Sequence, residues 1–299
     1  QDVNTLIRNA DAAMYQAKDM GRRNYQYYTT ELTISAYERV LLENQLRQAL
    51  EREEFTLHYQ PQYLMESGEL ISCEALVRWN HPEKGMVSPN DFIPLAEDTG
   101  LILPLGEWVL REACRQFREW LTEGLTLERI AVNLSGQQIQ RSNIVQVVRR
   151  TLHEFDLHPT CLELEISEGF VMMHAENSIQ TLHELRALGV YLSIDDFGVG
   201  YSSLSYLKQL PINQIKLDRS LVGDVPHDPN DEAIAKAVLA MSRSLQLDVV
   251  AEGVETKEQE TFLLEEKCRL VQGFLYSRPL PADTFLELVK RSRVKDAAG

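Results

Sequence analysis

CLELEISEGFVMMHAENSIQTLHELRALGVYLSIDDF, residues 161–197, begins and ends with a short apolar run and carries a helix-length stretch between them. The outer runs, 161–167 (CLELEIS) and 191–197 (YLSIDDF), have strand length and are rich in Leu and Ile, whereas the segment between them reads as an amphipathic helix. Parallel strands need a connection of about a dozen residues or more, usually a helix, so this stretch reads as one parallel βαβ unit.

The alternation continues on both sides. Further apolar runs lie at 55–64 (FTLHYQPQYL), 71–79 (ISCEALVRW), 129–135 (RIAVNLS), 214–218 (QIKLD), 248–254 (DVVAEGV) and 269–277 (RLVQGFLYS). Helix-start signals fall between them. Ser88-Pro89 and Asp228-Pro229 each offer a cap followed by proline at the first helical position, and Thr256 with Gln259 makes a capping box. Eight such strands in about 235 residues match the length of a (β/α)8 barrel. The first two runs are joined through a short turn, Glu66-Ser67-Gly68-Glu69, which cannot hold a crossover helix. The expected fold is therefore an α/β, TIM-like barrel with its first strand antiparallel, preceded by an N-terminal helical linker. Residues 1–28 read as a helix and a short strand-like stretch, 29–53 as one long helix without Gly or Pro, 54–293 as the barrel and 294–299 as a tail.

Composition narrows the function classes. Asp and Glu number 45 against 30 Lys and Arg, a net charge of -15, which speaks against contact with a nucleic-acid polymer. The four cysteines, Cys73, Cys114, Cys161 and Cys268, form no CxxC pair, so neither a zinc site nor a disulfide framework is expected and a cytoplasmic setting fits. No apolar run approaches the ~18 residues needed to span a bilayer, and no membrane contact by this stretch is expected. The chain opens on Gln1 and reads as a fragment of a longer protein, with any anchoring or sensing segment upstream.

A barrel strand should be nearly all apolar, yet almost every run here has a polar interruption near its end. These are Glu74 and Arg78, Asn133, Glu163 and Glu165, Asp195 and Asp196, Lys216 and Asp218, Glu252, and Gln272. The carboxyl ends of barrel strands form the active-site face. Alternation puts Glu163 and Glu165 on one face, and Lys216 and Asp218 on one face. Isolated polar residues at strand ends are commonplace, but agreement across seven strands calls for a site. Buried charge is costly unless paired or metal-bound. Glu74, Asn133, Glu165, Asp195, Asp196 and Glu252 offer hard oxygen donors suited to Mg²⁺ or Mn²⁺, and the adjacent aspartates point to two neighbouring cations. Lys216 among them would keep its charge and orient or polarise an attacking water. The residues themselves thus reach a metal-dependent hydrolase or lyase for an anionic substrate.

At these same positions the chain resembles the EAL family of cyclic di-GMP phosphodiesterases. The motifs are EALVRW from Glu74, HPEKGMVSPNDFIPLAEDTGLI, NLS at 133–135, ELEISE at 163–168, DDFGVGYSSL at 195–204, IKLD at 215–218, AEGVE at 251–255 and QGFLYSRPL at 272–280. They stand in order with consistent spacing over roughly 33–292. The resemblance implies hydrolysis of cyclic di-GMP to linear 5'-pGpG in bacterial signalling. It implies one cation held by Glu74, Asn133, Glu165 and Asp195, and a second by Asp195, Asp196 and Glu252, with Ca²⁺ inhibitory. Glu74, Lys216 and Glu252 would carry catalysis. Gln60, Leu76, Arg78 and Asp218 would contact the ligand, Gln272 and Pro279 would lie at the rim, and Ser167 and Glu168 would support the loop after the aspartates. That loop, 197–206, would also mediate a homodimer. Two departures from the family pattern stand out: Ser167 where Thr is usual, a swap that keeps the hydroxyl, and Gln62 where Ile or Val is common, with no consequence legible in the sequence. Residues 1–28 resemble the end of a GGDEF (diguanylate cyclase) domain, implying further GGDEF and sensor domains upstream. A receptor that binds cyclic di-GMP without cutting it, and an unrelated two-cation barrel enzyme, are the rival readings.

Overall fold

The computed structural model describes residues 30–200 and 204–296, together with Val3, Ile7, Ala10, Ala13, Met14, Tyr25 and Tyr27. The expected GGDEF remnant and the tip of the loop at 197–206 thus fall largely outside the described residues. The chain divides into two compact units, Thr56–Arg78 with Ile102–Gly299, and Gln1–Phe55 with Trp79–Leu101.

The strands, in chain order, are β1 (Phe55–Leu64), β2 (Leu70–His81), β3 (Gly85–Val87), β4 (Arg129–Asn133), β5 (Leu162–Ser167), β6 (Tyr191–Phe197), β7 (Gln214–Leu217), β8 (Asp248–Ala251), β9 (Leu270–Val271) and β10 (Leu280–Pro281). All eight strands expected from the sequence are present. The run β2-β4-β5-β6-β7-β8-β9 is parallel throughout, and pairing of β1 with both β9 and β2 closes it into an eight-stranded barrel. β1 pairs antiparallel with β9, as the short turn after it requires. Two short strands were not foreseen: β10 pairs with β1 and β3 with the end of β2. Pairings of two or three residues carry no periodicity that a sequence reading can detect.

The larger unit is held by apolar burial between the strands and the helices around them. Helix Ile102–Thr122 turns Leu105, Val109, Ala113, Phe117 and Trp120 inward. Trp120 stacks on Phe285 at 4.8 Å and meets the Tyr59 ring edge-on at 4.7 Å. On the strands, Ile130, Val132, Leu162, Leu164, Ile194 and Ile215 alternate with Asn133, Glu165, Asp195 and Lys216, so they face the helices, and they are almost wholly buried. A backbone approach also matters at the site: Gly273 lies so close to Val254 that a Cβ there would come within 2.1 Å of the Val254 carbonyl oxygen. Residues 272–275 can therefore run flush along 251–254, joined by the amide of Val254 to the carbonyl of Gln272 and that of Leu275 to Val254.

The smaller unit contains the helix Thr30–Glu51, the β2–β3 hairpin and the helix Pro89–Thr99, which begins with Ser88 as cap and ends on Gly100 in the left-handed conformation (φ 76°). Phe55, Trp79 and Phe92 pack with ring centroids 5.7–5.9 Å apart. The Trp79 indole N–H donates to Glu54 Oε2 at 3.0 Å, so the ring buries its face without stranding its polar atom.

Candidate active site

The carboxyl ends of the strands converge on Lys216. Its side chain, fully buried on β7, places Nζ 2.8 Å from Glu165 Oε2, 2.8 Å from Glu252 Oε1, 3.2 Å from Glu74 Oε2 and 3.2 Å from Asp195 Oδ1. Four carboxylates from β2, β5, β6 and the end of β8 thus surround one ammonium. Burial opposes its charge, but Asp195, Glu165, Glu252 and Glu74 together hold its pKa well above the usual lysine range. Lys216 therefore keeps its proton.

Five carboxylates against one ammonium leave the site electrostatically unbalanced, and the individual groups register it. Burial pushes Glu165 well above the ordinary carboxylate range, with the Glu74 charge adding to the effect. Burial raises Glu252 to about 8, against the opposing pull of Lys216. Asp196 is raised by burial and then by Asp195 and Asp218. Glu74 goes the other way: burial is the largest single influence and disfavours its charge, yet Lys216 and hydrogen bonds from Gln272, Asn133 and Lys216 outweigh it.

Consecutive residues of a regular strand point to opposite faces. Even so, Asp195, Asp196 and Glu252 bring one carboxylate oxygen each within 4.8 Å of one another. The reason is local. The register of β6 against β7 shifts between Ile194 and Phe197, and Asp196 adopts a left-handed backbone (φ 55°). A bulge of this kind re-aims a side chain, and Asp is among the few residues that tolerate the conformation cheaply.

The donor set fits divalent cations. Glu165 Oε1 is a buried oxygen that accepts no hydrogen bond, and Asp195 Oδ1 has only the Lys216 ammonium 3.2 Å away, without hydrogen-bond geometry. Asn133 Nδ2 donates to Glu74 Oε1 at 2.7 Å, which leaves the Asn133 carbonyl oxygen for another partner. Unsatisfied buried oxygens of this hardness are what Mg²⁺ or Mn²⁺ would satisfy.

The remaining predicted residues are spread around this centre. Glu163, on the same face as Glu165, is equally buried but accepts instead from Gln214 Nε2 at 2.8 Å and does not join the Lys216 ring. Asp218 caps the short helix Arg219–Val222, accepting from the Ser220 amide. Arg78 and Leu76 are half-buried at the end of β2, and Pro279 is half-buried after β9. Ser167 sits at the cap position of helix Glu168–Leu188, but its side chain makes no capping bond. Glu168 is buried, and its Oε2 accepts from the amides of Gly198 (2.9 Å) and Gly200 (3.2 Å), tying the loop after the aspartates to the start of that helix. Gln60 and Gln272 share a hydrogen bond, Gln272 Nε2 to Gln60 Oε1 at 3.1 Å.

Two residues beside the site had no functional reading from the sequence. Ser72 and Gln62 are buried on β2 and β1 and hydrogen-bond to each other and on to Gln272. The only available signal was a glutamine in a barrel strand that usually carries an aliphatic residue there.

Comparison with known proteins agrees with the fold. The model of the EAL domain matches residues 43–279. The chain is 48% identical over 289 residues, 97% of its own length, to the bifunctional diguanylate cyclase/cyclic di-GMP phosphodiesterase MucR of Pseudomonas aeruginosa. It is 45% identical over 98% of its length to the cyclic di-GMP phosphodiesterase NbdA of the same organism. It spans only 42% and 37% of those two relatives. Among solved structures, a PaMucR phosphodiesterase in complex with c-di-GMP superposes with a TM-score of 0.79 at 49% identity, covering 82% of this chain and 99% of that one.

Proposed function

The chain belongs to the EAL domain family, and from that premise we propose that it is a metal-dependent phosphodiesterase that opens cyclic di-GMP to linear 5'-pGpG. The single observation that carries the reading is the ring of four carboxylates around Lys216 at the carboxyl ends of the barrel strands, with Asp196 beside it. The names of MucR and NbdA supply the substrate class.

Two Mg²⁺ or Mn²⁺ ions are the proposed cofactors, one on Glu74, Asn133, Glu165 and Asp195 and the other on Asp195, Asp196 and Glu252, with Ca²⁺ inhibitory. When bound, they would neutralise the phosphodiester's charge and lower the pKa of the attacking water. The protein groups divide the rest. Lys216 retains its proton and so orients the water and the carboxylates around it instead of taking a proton. Glu252, raised to about 8 in the metal-free site, would give up that proton as a cation ligand and position or deprotonate the attacking water. Arg78 would grip a phosphate with its guanidinium fork, alongside Gln60, Leu76 and Asp218 as further ligand contacts and Pro279 at the rim, whereas Gln272, expected at the rim, is buried against Glu74. Glu168, through Gly198 and Gly200, would hold the loop at 197–206, proposed as the homodimer contact. Upstream GGDEF and sensor domains in a longer parent chain, and a cytoplasmic location, belong to the same proposal. Among the described residues no helix is long and apolar enough to cross a membrane.

The test is incubation of the chain with cyclic di-GMP and Mn²⁺ followed by nucleotide chromatography. The expected product is pGpG, abolished by EDTA and by Glu74→Ala. Binding of the cyclic dinucleotide with no product under Mg²⁺ or Mn²⁺ would favour the receptor reading instead. Turnover in EDTA would remove the cations from the scheme.

A further inference from the structure

Gln62 lies on β1 with 1% of its surface exposed, where a barrel strand normally places an aliphatic side chain. An amide buried this deeply costs free energy unless its polar atoms are matched, and here both ends are. Gln62 Oε1 accepts from Ser72 Oγ at 2.6 Å, and Gln62 Nε2 donates to Gln272 Oε1 at 2.8 Å. Gln272 in turn spends both of its N–H groups, on Glu74 Oε2 at 2.6 Å and on Gln60 Oε1 at 3.1 Å.

The direction of this chain is dictated from its far end. An ionised Glu74 can only accept, so Gln272 must present its NH₂ to it. The Gln272 oxygen then faces Gln62 and needs a donor, which, among the described residues, the Gln62 amide supplies. That leaves the Gln62 oxygen to take the Ser72 hydroxyl. A Gln272 amide turned the other way would set its oxygen against the Glu74 carboxylate at hydrogen-bonding distance, two acceptors facing each other. Glu74 sets the orientation, and Gln62 supplies the buried donor that keeps the Gln272 oxygen satisfied in it.

We propose that Gln62 is a positioning residue: through the Gln272 amide it fixes the carboxylate of Glu74 in the orientation that receives a cation. The inference rests on the reading of Glu74 as a cation ligand. Partners that orient a ligand from behind typically change metal affinity 10–100-fold when removed, so Gln62→Met should weaken Mn²⁺ binding by about tenfold or more. It should lower kcat while moving the KM for cyclic di-GMP little, since Gln62 reaches the site only through Gln272.

The experiment measures Mn²⁺ affinity by calorimetry, and separately kcat, KM and thermal stability, on Gln62→Met, Ser72→Ala, Gln272→Met, Glu74→Ala and the Gln62→Met/Gln272→Met double variant. Ser72→Ala strands the Gln62 oxygen but leaves the Gln62-to-Gln272 bond intact; it should lose stability and keep its Mn²⁺ affinity. The double variant should bind Mn²⁺ no more weakly than Gln272→Met alone, because Gln62 acts through that amide. Additive losses, or a loss in Ser72→Ala equal to that in Gln62→Met, would reduce Gln62 to a structural residue. Wild-type affinity in Gln62→Met alongside lost affinity in Glu74→Ala would overturn the inference and leave the ligand reading standing. Undiminished binding in Glu74→Ala would overturn both. Should Gln62→Met fail to fold, Gln62→Asn, which keeps an amide one methylene short of Gln272, serves for the same comparison.

Discussion

Lys216 is the residue on which the site's electrostatics turn. Its ammonium lies within 3.2 Å of four carboxyl groups crowded together at low dielectric. Removing one partner of a buried charge network typically costs about 3–5 kcal/mol, because what remains is uncompensated. Lys216→Met should therefore destabilise the metal-free chain at neutral pH by about that amount in urea unfolding. Adding Glu74→Gln, which removes the carboxylate held ionised beside it, should recover part of the loss; a change below about 1 kcal/mol in the single variant would show that the ammonium is no keystone. At this scale the sequence was partly legible. Polar interruptions at strand ends located Glu74, Glu165, Asp195, Asp196, Lys216 and Glu252, since a barrel strand has no other use for so many. Alternation also put Glu163 with Glu165, which holds for the face but not for the layer: Glu163 bonds Gln214, away from Lys216. That both adjacent aspartates serve one cluster depended on the left-handed Asp196, a backbone property that no periodicity announces. The Ser72–Gln62–Gln272 chain was invisible for the same kind of reason, as it joins strands distant in sequence.

At the scale of elements, the loop that follows β6 depends on one helix start. Glu168 opens the helix Glu168–Leu188, where a carboxylate is favoured by the helix dipole, yet it directs Oε2 at the amides of Gly198 and Gly200. Hydrogen bonds to a charged acceptor are worth roughly 1.5–3 kcal/mol, enough to keep that loop start closed most of the time. Glu168→Ala should leave the fold intact by circular dichroism. Amide hydrogen exchange at Gly198 and Gly200 should speed up by about tenfold or more, and turnover should fall. Unchanged exchange at both glycines would show that the loop is held by something else. Element boundaries were read from the sequence with uneven success, and for a physical reason. β1 and β6 match their apolar runs residue for residue, whereas the run at 269–277 yields only the two-residue β9. Beyond Val271 the chain is held by bonds to 251–254 made possible by Gly273, so its apolar residues pack without continuing the ladder.

For the molecule as a whole, excess negative charge collected at one end of a barrel links stability to pH and to cations. In the metal-free chain Glu252 holds its proton up to about pH 8, whereas the unfolded chain releases it near the ordinary value of 4.5. Between those values the folded state binds more protons than the unfolded one, so stability must fall as pH rises. Glu165 and Asp196, both raised chiefly by burial, act in the same direction. Glu74 acts in the opposite sense, but its carboxyl is held low, so its contribution is lost only on the acid side, below the ordinary carboxylate pKa. Lys216 is raised above the usual lysine range and therefore adds no slope until the pH approaches that of a free lysine. The melting temperature in EDTA should thus decline steadily from about pH 6 to about pH 9. Cations that bind the folded site alone displace these protons and stabilise by mass action. Mg²⁺ or Mn²⁺ should then raise the melting temperature most at the alkaline end, flattening or reversing the slope, with protons released on binding near neutral pH. A melting temperature in EDTA that is flat or rises over that range would mean that the carboxylates are ionised without cations, and that Lys216 alone suffices to hold them together.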